Sequence, residues 1–218
     1  MRLKSIIQFT LVVLCVCLTC IPGWTQSPEL ADRYWNQAET LFKNGKYLEA
    51  AHIYLKSAEA EFASLKPRKR ELAITYGKAG YSFYLIKNYE QAIQYTLKAI
   101  EIAEQEKNSL MLYCSLAGKI YYDWGKYKEA IEYYYKSLEI AREFNDKQQI
   151  NTYLNNISLI HSYLARYYID LGEYKNALQY YEKNLEIDKE INNKSAIFLD
   201  LDNISLLYQI IGDYKEAI

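Results

Sequence analysis

The sequence predicts an all-α fold, an α-solenoid of tandem antiparallel helix-turn-helix units, on three observations. A short turn constellation recurs five times, the residues around it fall at helical spacing, and helix breakers are scarce. Against 24 Tyr there are only 8 Gly and 3 Pro, too few for the many turns of a β-sandwich, so long helices are favoured. Half of the 218 residues are apolar, enough to bury a substantial core.

The N-terminal residues stand apart. Arg2 and Lys4 make a short basic start, residues 6–21 are an almost unbroken apolar run, and Gly23-Trp24-Thr25 before Gln26 places small residues at the two positions a signal peptidase requires. Residues 1–25 are therefore expected to be a cleaved signal peptide, and the product exported to a periplasmic or extracellular space. A retained anchor fits less well, because the run is shorter than the roughly 20 apolar residues that span a bilayer. A lipoprotein signal fits least, since Thr19 before Cys20 is a poor match. Cleavage would remove Cys15, Cys17 and Cys20, leaving Cys114 with no disulfide partner in the mature chain. It would also remove two basic residues and no acidic one, and the mildly acidic remainder does not suggest a nucleic-acid partner.

The repeats occupy the remainder, residues 26–218. Their turns are Gly45-Lys46-Tyr47, Lys87-Asn88-Tyr89, Gly125-Lys126-Tyr127, Gly172-Glu173-Tyr174 and Gly212-Asp213-Tyr214, spaced 42, 38, 47 and 40 residues apart. Seven residues before each turn stands a small residue (Ala38, Gly80, Gly118, Ala165, Ser205), and four before it a large one (Leu41, Phe83, Tyr121, Tyr168, Tyr208). Alanine follows five residues after every turn: Ala50, Ala92, Ala130, Ala177 and Ala217. Nine after come Tyr54, Thr96, Tyr134 and Tyr181, expected to be core residues. Each unit then reads as helix, tight turn, helix, with the glycine closing the first helix and the small residues letting the two helices approach.

The run from Gly125 to Ile140, repeated nearly residue for residue from Gly172 to Ile187, resembles the turn and second helix of a tetratricopeptide repeat. The resemblance covers residues 31–218 in five tandem matches, with departures from the family pattern. The period is longer than the usual 34 or so residues, as in long-period bacterial members, and no proline closes the repeats. In the second turn Lys87 replaces glycine, and Asn88 beside it is expected to take the left-handed conformation. In the fourth unit Asn156-Ile157-Ser158-Leu159-Ile160 matches Asn203-Ile204-Ser205-Leu206-Leu207 but lies seven residues farther from its turn. Seven residues advance a helix by nearly two whole turns, so the apolar face survives and the helix is expected to project farther.

Residues that could carry catalysis are few. His52 and His161 lie far apart without cysteines or carboxylates at ligand spacing and are expected on helix surfaces; Asp200 and Asp202 are two apart on a helix and do not face each other. Cys114 reads as a packed thiol. No phosphate loop, nucleophile elbow or zinc motif occurs, so neither an enzyme nor a cofactor or metal is expected. The basic run from Lys66 to Arg70 reads as a solvated loop, with Pro67 opening the next helix, in preference to an anion or membrane patch.

In the family this chain resembles, the first helices line a concave face that holds peptides. Carried over by position, that implies a groove of Tyr81, Tyr84, Lys119, Tyr122 and Arg166, with Phe42 and Asp123 at its margins, and a protein or peptide as partner. The family's clamp for C-terminal carboxylates uses an asparagine after the small residue; Glu39, Tyr81, Lys119, Arg166 and Leu206 stand there, which does not support that mode. The expected function is a binding scaffold of an exported protein. The alternative is the sensory or scaffold region of a larger signalling or protease polypeptide continuing beyond residue 218. Any membrane association would come from an uncleaved signal segment alone. The second helix of the fifth unit stops soon after Ala217, so Leu207, Tyr208 and Ile211 are expected to form an exposed apolar strip through which copies could associate.

Overall fold

The computed structural model describes residues 28–212. The signal segment, Asp213, Tyr214, Ala217 and Ile218 lie outside the described residues. Those described form nine α-helices and no strand: α1 Pro28–Lys43, α2 Tyr47–Phe62, α3 Lys69–Leu85, α4 Tyr89–Ile102, α5 Lys107–Asp123, α6 Tyr127–Glu143, α7 Lys147–Asp170, α8 Tyr174–Glu190 and α9 Lys194–Ile211. They divide into two compact units, Met1–Glu104, holding α1 to α4, and Gln105–Ile218, holding α5 to α9.

One backbone device closes the hairpins. Gly45, Gly125 and Gly172 take φ of 75°, 79° and 74°. At the first of these Gly45 N–H donates to the Phe42 carbonyl at 3.0 Å and Lys46 N–H to the Leu41 carbonyl at 3.0 Å, consuming carbonyls the helix end leaves open. In the second turn it is Lys87, not Asn88, that turns left-handed, at φ 61°. The pattern fixes which position must do so, and Asn88 one place later begins α4, where its side chain accepts from Gln91 N–H at 3.3 Å. Between repeats the sequence gives no glycine, and Asn145 (φ 53°) and Asn192 (φ 58°) take the same conformation.

The small residues meet where the spacing places them. Ala38, Ala50, Ala92, Ala130, Ala165 and Ala177 are fully buried. A Cβ on Gly80 would stand 2.5 Å from Thr96 Oγ1 and 2.9 Å from the Ala92 carbonyl oxygen, and one on Gly118 would stand 3.0 Å from the Tyr134 ring. Thr96 and Tyr134 thus fill the space their glycines leave. Tyr54 and Tyr134 are buried as expected, but Tyr181 is only half-buried, because the residues opposite it in its unit border a cavity.

In the first unit Tyr54 donates its hydroxyl to Glu39 Oε1 at 2.5 Å and packs edge-on against Trp35, with ring centroids 5.3 Å apart. The loop before α3 is not simply solvated. Arg68 binds the buried Glu61 through its backbone N–H (2.6 Å) and its guanidinium (2.6 Å), and reaches Asp32 at 2.8 Å. Helix α3 accordingly begins at Lys69, with Arg68 rather than Pro67 at its threshold.

In the second unit α7 runs 24 residues, against 17 for α5, α6 and α8, so the inserted residues lengthen the helix and its stripe Tyr153, Leu154, Ile157, Ile160, Leu164 stays buried. His161 lies on that stripe. It is 3% exposed, its ring centroid is 5.6 Å from that of Tyr180, and its Nδ1 has no hydrogen-bond partner, which corrects the surface role expected for it. The expected strip on α9 is also corrected: Leu207 is buried and Tyr208 and Ile211 half-buried, whereas Phe198, Leu201, Leu206 and Ile210 are exposed.

Candidate functional site

The five positions proposed from the repeat register fall in both units. In the first, Tyr81 and Tyr84 on α3 stack with ring centroids 5.9 Å apart, and Phe42 on α1 lies 6.0 Å from Tyr81. Lys78 Nζ sits 5.2 Å from the Phe42 ring and ion-pairs with Glu39 at 2.9 Å. Three aromatic positions and a cation are thereby gathered, with Tyr81 exposed.

In the second unit Lys119 on α5 is exposed and ion-pairs with Asp123 at 3.7 Å. Tyr122 on α5 is an element of packing: its ring lies 5.9 Å from Tyr127 and 6.1 Å from Tyr163, and the latter two stack at 6.0 Å. Burial, then a hydrogen bond with Tyr163, push the Tyr122 hydroxyl up to about 12, so it is neutral at ordinary pH. Arg166 on α7 is exposed and borders an open cavity of about 550 Å³ lined by α7, α8 and α9.

That cavity is where the second unit's polar side chains converge. From α7 come Asn155, Ser158, Leu159, Ser162, Tyr163 and Arg166, at the three- and four-residue spacing of one helix face. Helix α8 contributes Tyr181, Asn184 and Asp188; α9 and the residue before it contribute Asn193, Leu199, Asp200 and Asn203. The register argument found only Arg166 of these. Tyr163 escaped it because the insertion breaks the alignment of α7 with the other first helices.

Asn184, Asp188 and Asp200 are 3%, 1% and 4% exposed. The Asn184 amide donates to Ser162 Oγ at 3.2 Å and Asp200 Oδ1 at 3.3 Å. Its own Oδ1 has no donor, and neither have Asp188 Oδ2 and Asp200 Oδ2 while both carboxyls are ionised. The two carboxyl groups are close enough to hydrogen-bond through one shared proton. Burial first, and then the charge of Asp188, push Asp200 up to about 6, and burial raises Asp188 as well. The sequence placed Asp200 on a helix and set it apart from Asp202, but it did not show its neighbour, which is Asp188 across the α8–α9 interface. Burial also pushes the Cys114 thiol up to about 11, in keeping with a packed side chain.

These are tandem helical hairpins closed by left-handed turns, with small residues at the crossings. A family model described as tetratricopeptide repeat matches residues 156–218, and a second of the same description matches 73–106 and 112–144, together more than half of the chain. The chain belongs to the tetratricopeptide-repeat family. Comparison with curated protein sequences found no significant match. Among solved structures it is similar to aspartyl phosphate phosphatase F from Bacillus subtilis (TM-score 0.55, 15% identity, covering 92% of this chain and 59% of that one). It is also similar to the apo form of RapI (TM-score 0.54, 22% identity, 86% and 66% covered). A third is the Rap conjugation gene regulator of plasmid pLS20 in complex with the Phr* peptide (TM-score 0.51, 18% identity, 84% and 49% covered). The chain thus spans half to two thirds of these proteins, and at such identities the likeness is one of fold.

Proposed function

We propose that this chain is a binding scaffold that holds a segment of another polypeptide, and that it works after export, residues 1–25 being removed as a signal peptide. The observation that carries the reading is the cavity between α7, α8 and α9. Its amide, hydroxyl and carboxylate groups can pair with a peptide backbone and polar side chains, while the exposed Leu159, Tyr163 and Leu199 offer apolar contact beside them. Peptide capture by a protein of the same fold, the pLS20 regulator, supports this use of hairpin repeats. In the first unit Tyr81 and Tyr84 supply a rigid aromatic surface of the kind that anchors interfaces.

Capture of array-displayed peptides by the full chain is the test. Tyr163→Ala with Arg166→Ala should lower the best peptide's affinity at least tenfold with helicity unchanged, as expected for an aromatic and cationic anchor. Loss on changing Lys69 and Arg70 instead would move the site to the start of α3. For export, N-terminal sequencing of the protein recovered outside the cytoplasm should begin at Gln26.

A further inference from the structure

We propose that the cavity between α7, α8 and α9 is a subsite for a basic side chain of the bound peptide, the ammonium of lysine or the guanidinium of arginine, received by Asp188, Asp200 and Asn184. It rests on the reading of this cavity as a peptide site. The argument starts from what the floor lacks. Asn184 is 3% exposed and lines the cavity, and its buried Oδ1 is unpartnered, although its amide nitrogen is satisfied twice. Beside it Asp188 Oδ2 and Asp200 Oδ2 are buried with no donor from the described residues. Three acceptor oxygens without a donor are costly in a low-dielectric interior, and a single proton between the carboxyls relieves two of them and leaves the amide oxygen. An ammonium brings three donors and a guanidinium five, enough for all three oxygens.

Charge agrees with this count. The facing titratable and charged groups are Tyr163 and Arg166 from α7, Tyr181 and Asp188 from α8, and Asp200 from α9. With the acids ionised these sum to one negative charge, which a single cation neutralises. Near and below pH 6, where Asp200 holds a proton, entry of the cation releases it to solvent, so binding and proton release are coupled there. With Asp200 titrating at about 6, affinity should fall about tenfold between pH 7.5 and pH 5.0.

The test uses the full chain and peptide pools randomised except for one fixed central residue, Lys, Arg, Ala or Glu. The expected result is that the Lys and Arg pools bind at least tenfold more tightly than the Ala and Glu pools at pH 7.5. The preference should shrink to less than twofold in Asp200→Asn, whose carboxamide keeps the bond to Asn184, while that variant still binds the pools through the rest of the groove. The pH dependence is read on the unaltered chain, so it decides the matter even if the variant does not fold. Equal binding of all four pools by the unaltered chain would overturn the subsite and leave the groove standing. Failure of every pool to bind would overturn both. A preference that appears only with calcium, or tight binding of calcium alone that abolishes it, would make the acid pair a metal site and overturn the proposal.

Discussion

Burying Asp200 beside Asp188 raises its carboxyl from 3.8 to about 6, so the folded chain holds an extra proton between those values. The associated stability is fully present below the unfolded value and is lost as pH rises through about 6. Asp200→Asn should therefore stabilise the fold at pH 7.5 by roughly 1–3 kcal/mol and by about half as much at pH 5, which denaturant melts at the two pH values will show. His161 pulls the other way. Burial first, and then the charge of Lys183, lower it from 6.5 to about 4, so its stability is present above 6.5 and is lost as pH falls through about 4. His161→Phe should flatten the acid side of the stability profile by on the order of 2–3 kcal/mol in melts between pH 6.5 and 4. Neither residue was legible in the sequence as buried. His161 lies within the insertion, outside the repeat register, and Asp200 meets Asp188 through an interface between helices that no local spacing encodes. What the register did give was the small residues at the crossings and the alanine after each turn, because those positions answer to the close approach of two helices within one unit.

The helices are set by their closures. Lys87 holds a left-handed conformation that costs an ordinary L-residue about 1–2 kcal/mol, and glycine holds that position in the other hairpins. Lys87→Gly should gain about 0.5–1 kcal/mol after glycine's entropy is counted, seen as a shifted denaturant midpoint with an unchanged slope. The turn itself was read correctly and its left-handed residue was not, since asparagine's preference for that conformation competes with its preference for capping α4, and the hydrogen-bond pattern decides for the cap. Burial likewise separates two tyrosines that the alignment made equivalent. Tyr134→Ala should cost roughly 3–5 kcal/mol, whereas Tyr181→Ala, at the edge of a cavity, should cost under about 2 kcal/mol; equal losses in melts would contradict this.

For the molecule as a whole, each unit presents its own surface chemistry: stacked Tyr81 and Tyr84 in the first, and in the second a cavity whose polar floor ends in an acid pair. Fold class and repeat boundaries were legible because five tandem units report the same constraint five times. The cavity was not, because it is made by what differs between units: a lengthened α7, a half-buried Tyr181, and Asp200 where the helix could have carried an apolar residue. A surface kept at a cost in stability is what a binding role would select. The most direct measurement is hydrogen exchange of the full chain with and without its tightest array-selected peptide. Exchange should slow over residues 155–166 and 196–203, which line the cavity, with no change along the exposed side of α6. Slowing confined to residues 66–70, or none in either cavity segment at saturating peptide, would contradict the account.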